Sequence, residues 1–365
     1  MQPYIEKTLR HKVFIIAEAG VNHNGSLSMA FKLIDAAKTA GADAIKFQSF
    51  YTDDLVVPEA PKVLYQRKKE SSLTQYEMLK RLELTASMHE KIVNYCNKRN
   101  ILFLSTPFDI KSLSYLVQKF KMPLIKVASG ELTHDHLLLC AARTQKPMLL
   151  STGMSTLKEI KRALKIIAFG YLKAKKIPTL KQLKKIYSKS KVRKILEEKV
   201  VLLHCVSEYP ASDLKINLNV MKTLKKHFGL EVGYSDHSSG IVIPIAAVAL
   251  GARVIEKHLT LDNNLPGPDH EASLEPKEFL DMVRSIRIIE RALGNGKKKP
   301  TPVEIKNKKM VRKGVYAKRY IPKGKLLSLD DMICKRPEAH CLANNIWNMI
   351  NIPAKKNFNQ NDPIL

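Results

Sequence analysis

Eight short, β-rich apolar runs, each ending in polar or ionisable residues, punctuate roughly the first 260 residues of the chain and confine it to very few folds. They are "VFIIAEAG" from Val13, "AIKFQSF" from Ala44, "ILFLSTPF" from Ile101, "LIKVASGE" from Leu124, "PMLLSTGM" from Pro147, "VVLLHCVSEYP" from Val200, "LEVGYSDHSSG" from Leu230 and "RVIEKHLT" from Arg253. Segments of helical period separate them, with helices expected after Ser26 and from Thr85 and a long polar loop between "AIKFQSF" and the second of these. Strands that alternate with helices imply parallel βαβ units, and eight units in about 250 residues is the repeat of a (β/α)8 TIM barrel. A doubly wound open sheet would need a glycine fingerprint after its first strand, and "AGVNHNG" is not G-x-G-x-x-G. The expected fold class is therefore α/β, with the barrel over residues 1–294.

A chain of 365 residues leaves room for a second, smaller domain. The helix "PKEFLDMVRSIRIIERALG" (Pro276 to Gly294) closes the barrel pattern, a Lys- and Pro-rich linker follows over 295–310, and "GVYAKRYIPKGKLLSLDDMICKRP" opens a β-rich C-terminal domain over 311–365, with a turn at Pro322 to Gly324. Between strands 5 and 6 a basic stretch, about 168–199, reads as a solvated helical insertion. Hydrophobic content of 45% with 7% aromatics is that of a soluble globular protein, and no apolar run reaches the length of about 18 residues that spans a bilayer. The start, "MQPYIEKTLRHKVFIIAEAG", lacks the order of a signal peptide, so the expected location is cytoplasmic. Five scattered cysteines, none in C-x-x-C spacing, argue against a disulfide framework or a zinc ribbon. The net charge of +28 is densest in Tyr171 to Lys194 and Gly296 to Gly314. Neither stretch interleaves aromatics with base-reading residues, which points to a lysine-decorated surface and to no nucleic-acid or membrane partner.

Nearly every run ends in groups that carry charge or hydrogen-bond: Glu18, Lys46 with Gln48, Ser105 with Thr106, Lys126 with Ser129 and Glu131, Ser151 with Thr152, His204, Ser235 with Asp236 and His237, and Glu256 with His258. In a barrel all these strand ends face one mouth. Lys46 and Lys126, in the company of Ser, Thr and Gln, suit a phosphate or carboxylate. The alternative, a Schiff-base lysine, needs an apolar pocket to lower its pKa. His237 and His258 end strands that are neighbours in a closed barrel, a placement that lets their imidazoles converge on one ion. Three uses are open to them: ligation of Mn2+, Mg2+ or a similar ion, general acid or base work, and plain burial in the core.

The ordered motifs "IIAEAGVNHNGS", "ADAIKFQSF", "FLSTPFD", "IKVASGE", "LSTGMSTLKEI", "LLHCVSEYP", "VGYSDHSSGI", "VIEKHLTLD" and "GPDHEASLEP" resemble the bacterial sialic acid synthase family, the N-acetylneuraminate and legionaminate synthases, over almost the whole chain. The resemblance implies a TIM barrel followed by a small antifreeze-like (SAF) domain and a domain-swapped homodimer. It implies a transferase that condenses phosphoenolpyruvate with an N-acylated mannosamine-type sugar, giving a nonulosonic (sialic) acid and, by C–O cleavage, inorganic phosphate. It assigns Lys46, Thr106, Lys126, Ser129, Ser151, Ser207 and Ser235 to phosphoenolpyruvate, with Ser207 standing where other members carry Asn or Thr. It assigns His237 and His258 to a divalent ion, Mn2+ first and Mg2+ or Co2+ as alternatives. Glu131, Gln48 and Tyr209 fall at the reacting centre, and Asn24, Asp269 and Arg336 at the sugar. Asn24 occupies a place that is acidic in some members, and "EAHCLANN" (Glu338 to Asn345) replaces the family's glycine-containing turn after Arg336.

The acceptor expected is N-acetylmannosamine. The alternative is 2,4-diacetamido-2,4,6-trideoxymannose, the acceptor of a legionaminic acid synthase, with a pseudaminic acid synthase ranked behind it. A reading of another class, a basic nucleic-acid-binding protein without catalysis, has only the charge behind it.

Overall fold

A computed structural model describes residues 12–62, 74–173, 176–186 and 190–364. The start of the chain, where the sequence was weighed for a leader, lies largely outside the described residues, as do parts of the loop after the second strand and of the basic insertion. The chain divides into two compact units, Met1–Gly294 and Asn295–Leu365.

The first unit carries eight parallel strands: β1 (Phe14–Gly20), β2 (Ala44–Ser49), β3 (Leu102–Pro107), β4 (Ile125–Val127), β5 (Met148–Ser151), β6 (Val200–His204), β7 (Glu231–Asp236) and β8 (Val254–His258). Their order is β3-β2-β1-β8-β7-β6-β5-β4. The first strand thus pairs with the last, which closes a ring everywhere except between β3 and β4. Those two are neighbours in space but share no ladder among the described residues. The eight-stranded α/β barrel read from the sequence is the observed architecture of this unit.

Helices follow the strands, and their starts are set by local chemistry. Ser26 caps α1 (Leu27–Thr39) by accepting the Met29 N–H. The stretch after β2, read as a polar loop, holds two helices, α2 (Thr52–Leu55) and α3 (Gln75–Leu82). Thr74 and Glu77 form a reciprocal capping box at the start of α3. Thr85 caps α4 (Ala86–Arg99), as its position before the helical period predicts. Then come α5 (Ile110–Phe120), α6 (Asp135–Arg143) and α7 (Leu157–Leu172).

The basic insertion forms α8 (Leu180–Ile186) and α9 (Ser190–Lys199), helical and with exposed lysines, and the structure adds a buried side to these helices. Leu183, Ile186, Val192 and Leu196 are buried and join the barrel's own hydrophobic core. A spacing of three residues in α8 and of four in α9 gives each helix its own apolar stripe, while the lysines occupy the remaining faces. The unit is completed by α10 (Asp213–Ile216), α11 (Val220–Phe228), α12 (Val242–Ala249) and α13 (Pro276–Leu293). Among the described residues no helix is long and apolar enough to cross a membrane.

The second unit begins in the segment expected to be linker. Residues Pro302–Val311 form α14, started by Pro302 at the first turn and a Thr301/Glu304 capping box. Strands β9 (Gly314–Ala317) and β10 (Met332–Lys335) pair antiparallel. Val315, Ile321, Leu327, Met332 and Phe358 lead a small separate core. The "EAHCLANN" stretch closes over β9: Val315 N–H donates to the Cys341 carbonyl at 2.9 Å. A Cβ at Gly314 would stand 2.4 Å from that of Ala339, so this approach requires glycine.

Candidate active site

Along a strand, side chains alternate between faces, and that period sorts the strand-end residues. Ser235 and His237 of the β7 region, and Glu256 and His258 of β8, line one cavity of about 370 Å3 together with Glu18, Lys46, Gln48, Thr106, Lys126 and Ser151. The out-of-phase Asp236 and Lys257 lie off the cavity and pair with each other at 2.6 Å, fully buried. Strand register brings the cavity residues together: Glu18 stands beside Lys46 on β2 and beside His258 on β8, and Gln48 stands beside Thr106.

At the floor, two carboxylates and two ammonium groups form a buried network. Lys126 donates to Glu256 at 2.9 Å, Lys46 lies 3.7 Å from Glu256 and in direct contact with Glu18, and Ser235 Oγ donates to Glu256 at 2.8 Å. Lys46 also donates to Thr106 Oγ1 at 2.8 Å. Burial raises the pKa of Glu256, but the Lys126 and Lys46 charges outweigh it and hold the carboxyl well below the usual range. Burial drives Glu18 the other way, up to about 7, against the pull of Lys46 and with the push of the Glu256 charge. Lys46 is lowered by burial and raised by both glutamates, with a net rise that keeps it charged. The set therefore presents ammonium groups whose counter-charge is incomplete near neutrality, which suits an incoming anion.

Next to the lysines is a tight recess built by a glycine. A Cβ at Gly153 would lie 2.6 Å from Ser207 Oγ, 2.8 Å from Ser129 Oγ and 3.0 Å from Cys205 Sγ. The Gly153 N–H donates to Ser129 Oγ at 3.1 Å. Hydroxyls, a thiol and a backbone amide converge here because no side chain occupies position 153.

The two histidines lie with ring centroids 5.6 Å apart. His237 donates from Nδ1 to the Val206 carbonyl at 2.6 Å, which fixes its tautomer and leaves Nε2 with its lone pair. His258 Nδ1 is buried without a hydrogen-bond partner, 3.8 Å from Asp269 Oδ2. Burial lowers the pKa of His237 to about 4 and that of His258 well below the usual imidazole range. Both rings are thus neutral at physiological pH, the form that ligates metals. Among the described residues no three His, Cys, Asp or Glu side chains are grouped to hold an ion. The donor set is two imidazoles with open positions for oxygen ligands, which fits a divalent ion shared with substrate.

Tyr209 stacks on His237 with centroids 4.0 Å apart and meets His258 edge-on at 5.7 Å. Glu131, Ser129, Ser207 and Asp269 also line the cavity, and burial raises Asp269 to about 6. His134 Nδ1 hydrogen-bonds Glu131 Oε2 at 2.8 Å. Asn24 is not brought in with the others. It donates to the Pro266 carbonyl at 2.8 Å and its Oδ1 lies 3.2 Å from His270 Nε2, so its polar groups serve the loop after β8. Arg336 belongs to the second unit.

Three features escaped the sequence reading. Glu18 and Glu256 entered it only as strand-end groups; the two-residue spacing of Glu256 from His258 would have separated the one, while the place of Glu18 depends on its register with Lys46. The His134 contact follows from the three-residue spacing of Glu131 and His134 in a single turn. The third is an apolar wall: Val21, Phe50, Met78 and Leu82, with Leu55, Leu79 and Phe108 packed on them, form a hydrophobic cluster distinct from the barrel core. Every member of it lines the cavity.

Comparison with known proteins shows the family. The model of the NeuB family matches residues 33–298. A protein named N,N'-diacetyllegionaminic acid synthase from Campylobacter jejuni is 41% identical over 97% of this chain and 99% of its own length. One of the same name from Legionella pneumophila is 41% identical over 96% of this chain and 93% of its own. The crystal structure of the N-acetylneuraminic acid (sialic acid) synthetase of Leptospira borgpetersenii in complex with citrate superposes with a TM-score of 0.65 at 34% identity, covering 81% of this chain and 90% of that one. With its barrel, its lysine and histidine constellation and these matches, the chain belongs to the NeuB family of sialic acid synthases.

Proposed function

We propose that the chain condenses phosphoenolpyruvate with the open-chain form of an N-acylated mannosamine-type sugar to give a nonulosonic acid and inorganic phosphate. The observation that carries this reading is the buried Glu18, Lys46, Glu256 and Lys126 network set beside two neutral imidazoles in one cavity. Lys46 and Lys126, with Thr106, Ser129, Ser151, Ser207 and Ser235, bind the phosphate and carboxylate of phosphoenolpyruvate. His237 and His258 hold the divalent ion, Mn2+ first with Mg2+ or Co2+ as alternatives, which when bound supplies Lewis acidity to the sugar's aldehyde oxygen.

Gln48, Tyr209 and Asp269 line the acceptor and hold its C1 against C3 of phosphoenolpyruvate, so that proximity replaces a bimolecular encounter. Forming the C1–C3 bond leaves cationic character at C2. Glu131 faces that charge and takes the proton of the water that attacks it, oriented by His134. The tetrahedral product then expels phosphate by breaking its C2–O bond. A homodimer that lends Arg336 to the acceptor's N-acyl group, through an antifreeze-like second unit, belongs to the same proposal.

For the acceptor we infer 2,4-diacetamido-2,4,6-trideoxymannose, and legionaminic acid as product, in place of the N-acetylmannosamine expected from the sequence. The support is the 41% identity, over nearly the full length, to two proteins named for that product. N-acetylmannosamine is the second reading, favoured by the likeness to the Leptospira enzyme at 34%. Phosphoenolpyruvate labelled with 18O at the bridging oxygen tests the chemistry. The label leaves with phosphate if C–O cleavage operates, and retention of it in the organic product refutes the mechanism.

A further inference from the structure

The cavity has two unlike halves. On one side are the imidazoles of His237, after β7, and His258, at the end of β8, with the Tyr209 ring after β6; on the other is the apolar wall, contributed by Val21 after β1, by the ends of β2 and β3 and by α2 and α3. The strand order puts β6 and β7, with Tyr209 and His237, across an eight-membered ring from β2 and β3, and β8, with His258, two places from β2. An acceptor held at its aldehyde end by the histidine side therefore extends its far end toward Phe50, Leu55, Met78, Leu79, Leu82 and Phe108. These side chains pack as a cluster of their own, apart from the barrel core, and each also lines the cavity. Gln48 and Gln75 border the cavity beside the wall, and the cluster itself offers no strong hydrogen-bond donor.

We propose that this wall is the element that selects the acceptor at its sixth carbon, taking a methyl group in preference to a hydroxymethyl group. The inference rests on the synthase reading above and adds to it the residues that discriminate between acceptors. A methyl placed against the wall leaves water for an apolar surface, a favourable transfer. A hydroxyl in the same place is desolvated without a partner, which is unfavourable. Hydrophobic pockets distinguish such pairs by roughly 10- to 200-fold in kcat/KM, and a preference in that range is what the wall provides. Met78, Leu79 and Leu82 of α3 are three of the wall's seven side chains, more than any other element contributes, so α3 is where specificity resides.

The test uses 2,4-diacetamido-2,4,6-trideoxymannose and its 6-hydroxy counterpart, which differ only at that carbon. Phosphate release from phosphoenolpyruvate is followed for the full chain and for Leu79→Gln and Met78→Gln. The expected result is a preference of the unaltered chain for the 6-deoxy sugar by about 10-fold or more, reduced about tenfold in either variant. The KM for phosphoenolpyruvate should stay unchanged, which shows that the rest of the site has folded. Leu79 is only partly buried and tolerates the polar replacement should Met78→Gln fail to fold. Turnover of both sugars at a ratio near one, or a ratio that neither variant moves, overturns the inference and leaves the synthase reading intact. Absence of phosphate release with either sugar overturns the reading and the inference together.

Discussion

Adding one methyl group at Gly153 tests whether the recess beside the lysines is the anion site. The Cβ of Gly153→Ala would lie 2.6 Å from Ser207 Oγ, 2.8 Å from Ser129 Oγ and 3.0 Å from Cys205 Sγ, all below ordinary contact. The backbone at Gly153 is not left-handed, so alanine adds no conformational strain, and the whole effect falls on those three groups. Overpacking of this kind costs about 1–3 kcal/mol. Paid in binding, that corresponds to a fall of about 5- to 150-fold in kcat/KM for phosphoenolpyruvate. Hydroxyls and a thiol at a cavity edge can rotate aside, so the stability of the fold should change by no more than about 1 kcal/mol. Initial-rate phosphate release against phosphoenolpyruvate concentration, with denaturant unfolding alongside, measures both quantities. An unchanged KM for phosphoenolpyruvate in a correctly folded variant would refute the placement of the anion.

Gly170 supplies the converse case, because a Cβ there would meet Ala142 Cβ at 2.6 Å between α7 and α6, away from the cavity. Gly170→Ala should lower stability by about 1–3 kcal/mol while KM values hold, and a raised KM with intact stability would contradict that. Glu256→Gln removes the carboxylate that Lys126 and Ser235 share, leaving buried ammonium charge under-compensated, and should cost about 3 kcal/mol by denaturant unfolding; a loss under about 1 kcal/mol would show that Glu18 alone can balance both lysines. His23 is buried with its pKa lowered by burial from 6.5 to about 4. Below 6.5 the unfolded chain takes up a proton that the folded chain refuses until about 4, so this histidine withdraws about 3 kcal/mol of stability as pH falls through that window. Glu18 and Asp269, with raised pKa values, act with the opposite sign, so the informative quantity is the difference between variants. The stability of His23→Gln should fall less steeply with acid than that of the unaltered chain, and equal slopes between pH 6.5 and 4 would refute the assignment.

The strands were legible as short apolar runs with polar ends, and their phase, which the sequence reading left unused, lies in inward residues separated by one residue of opposite facing. Thus Lys46 with Gln48, and Glu256 with His258, announce a polar cavity from spacing alone. Long-range pairing was not legible in the same way. That Lys46 touches Glu18 and Glu256, and that burial pushes Glu18 up to about 7, depend on register between β1, β2 and β8. The insertion shows the limit of reading charge first: its lysines dominate the composition, yet Leu183, Ile186, Val192 and Leu196 decide where α8 and α9 go. Thr301 and Glu304 start a helix where Lys and Pro content had implied a linker. Asn24, placed by resemblance at the sugar, hydrogen-bonds in the structure to Pro266 and His270 of the loop after β8, a contact that sequence spacing does not announce. The apolar wall escaped notice because Met78 and Leu82 look like any amphipathic helix until the cavity behind them is seen.

Phosphate release by metal-stripped protein, offered phosphoenolpyruvate with and without the diacetamido sugar and with and without Mn2+, tests the central claim most directly. The account predicts release only when phosphoenolpyruvate, sugar and Mn2+ are all present. Release without the sugar, or no release from folded protein that instead retains nucleic acid in a salt-sensitive manner, would contradict it.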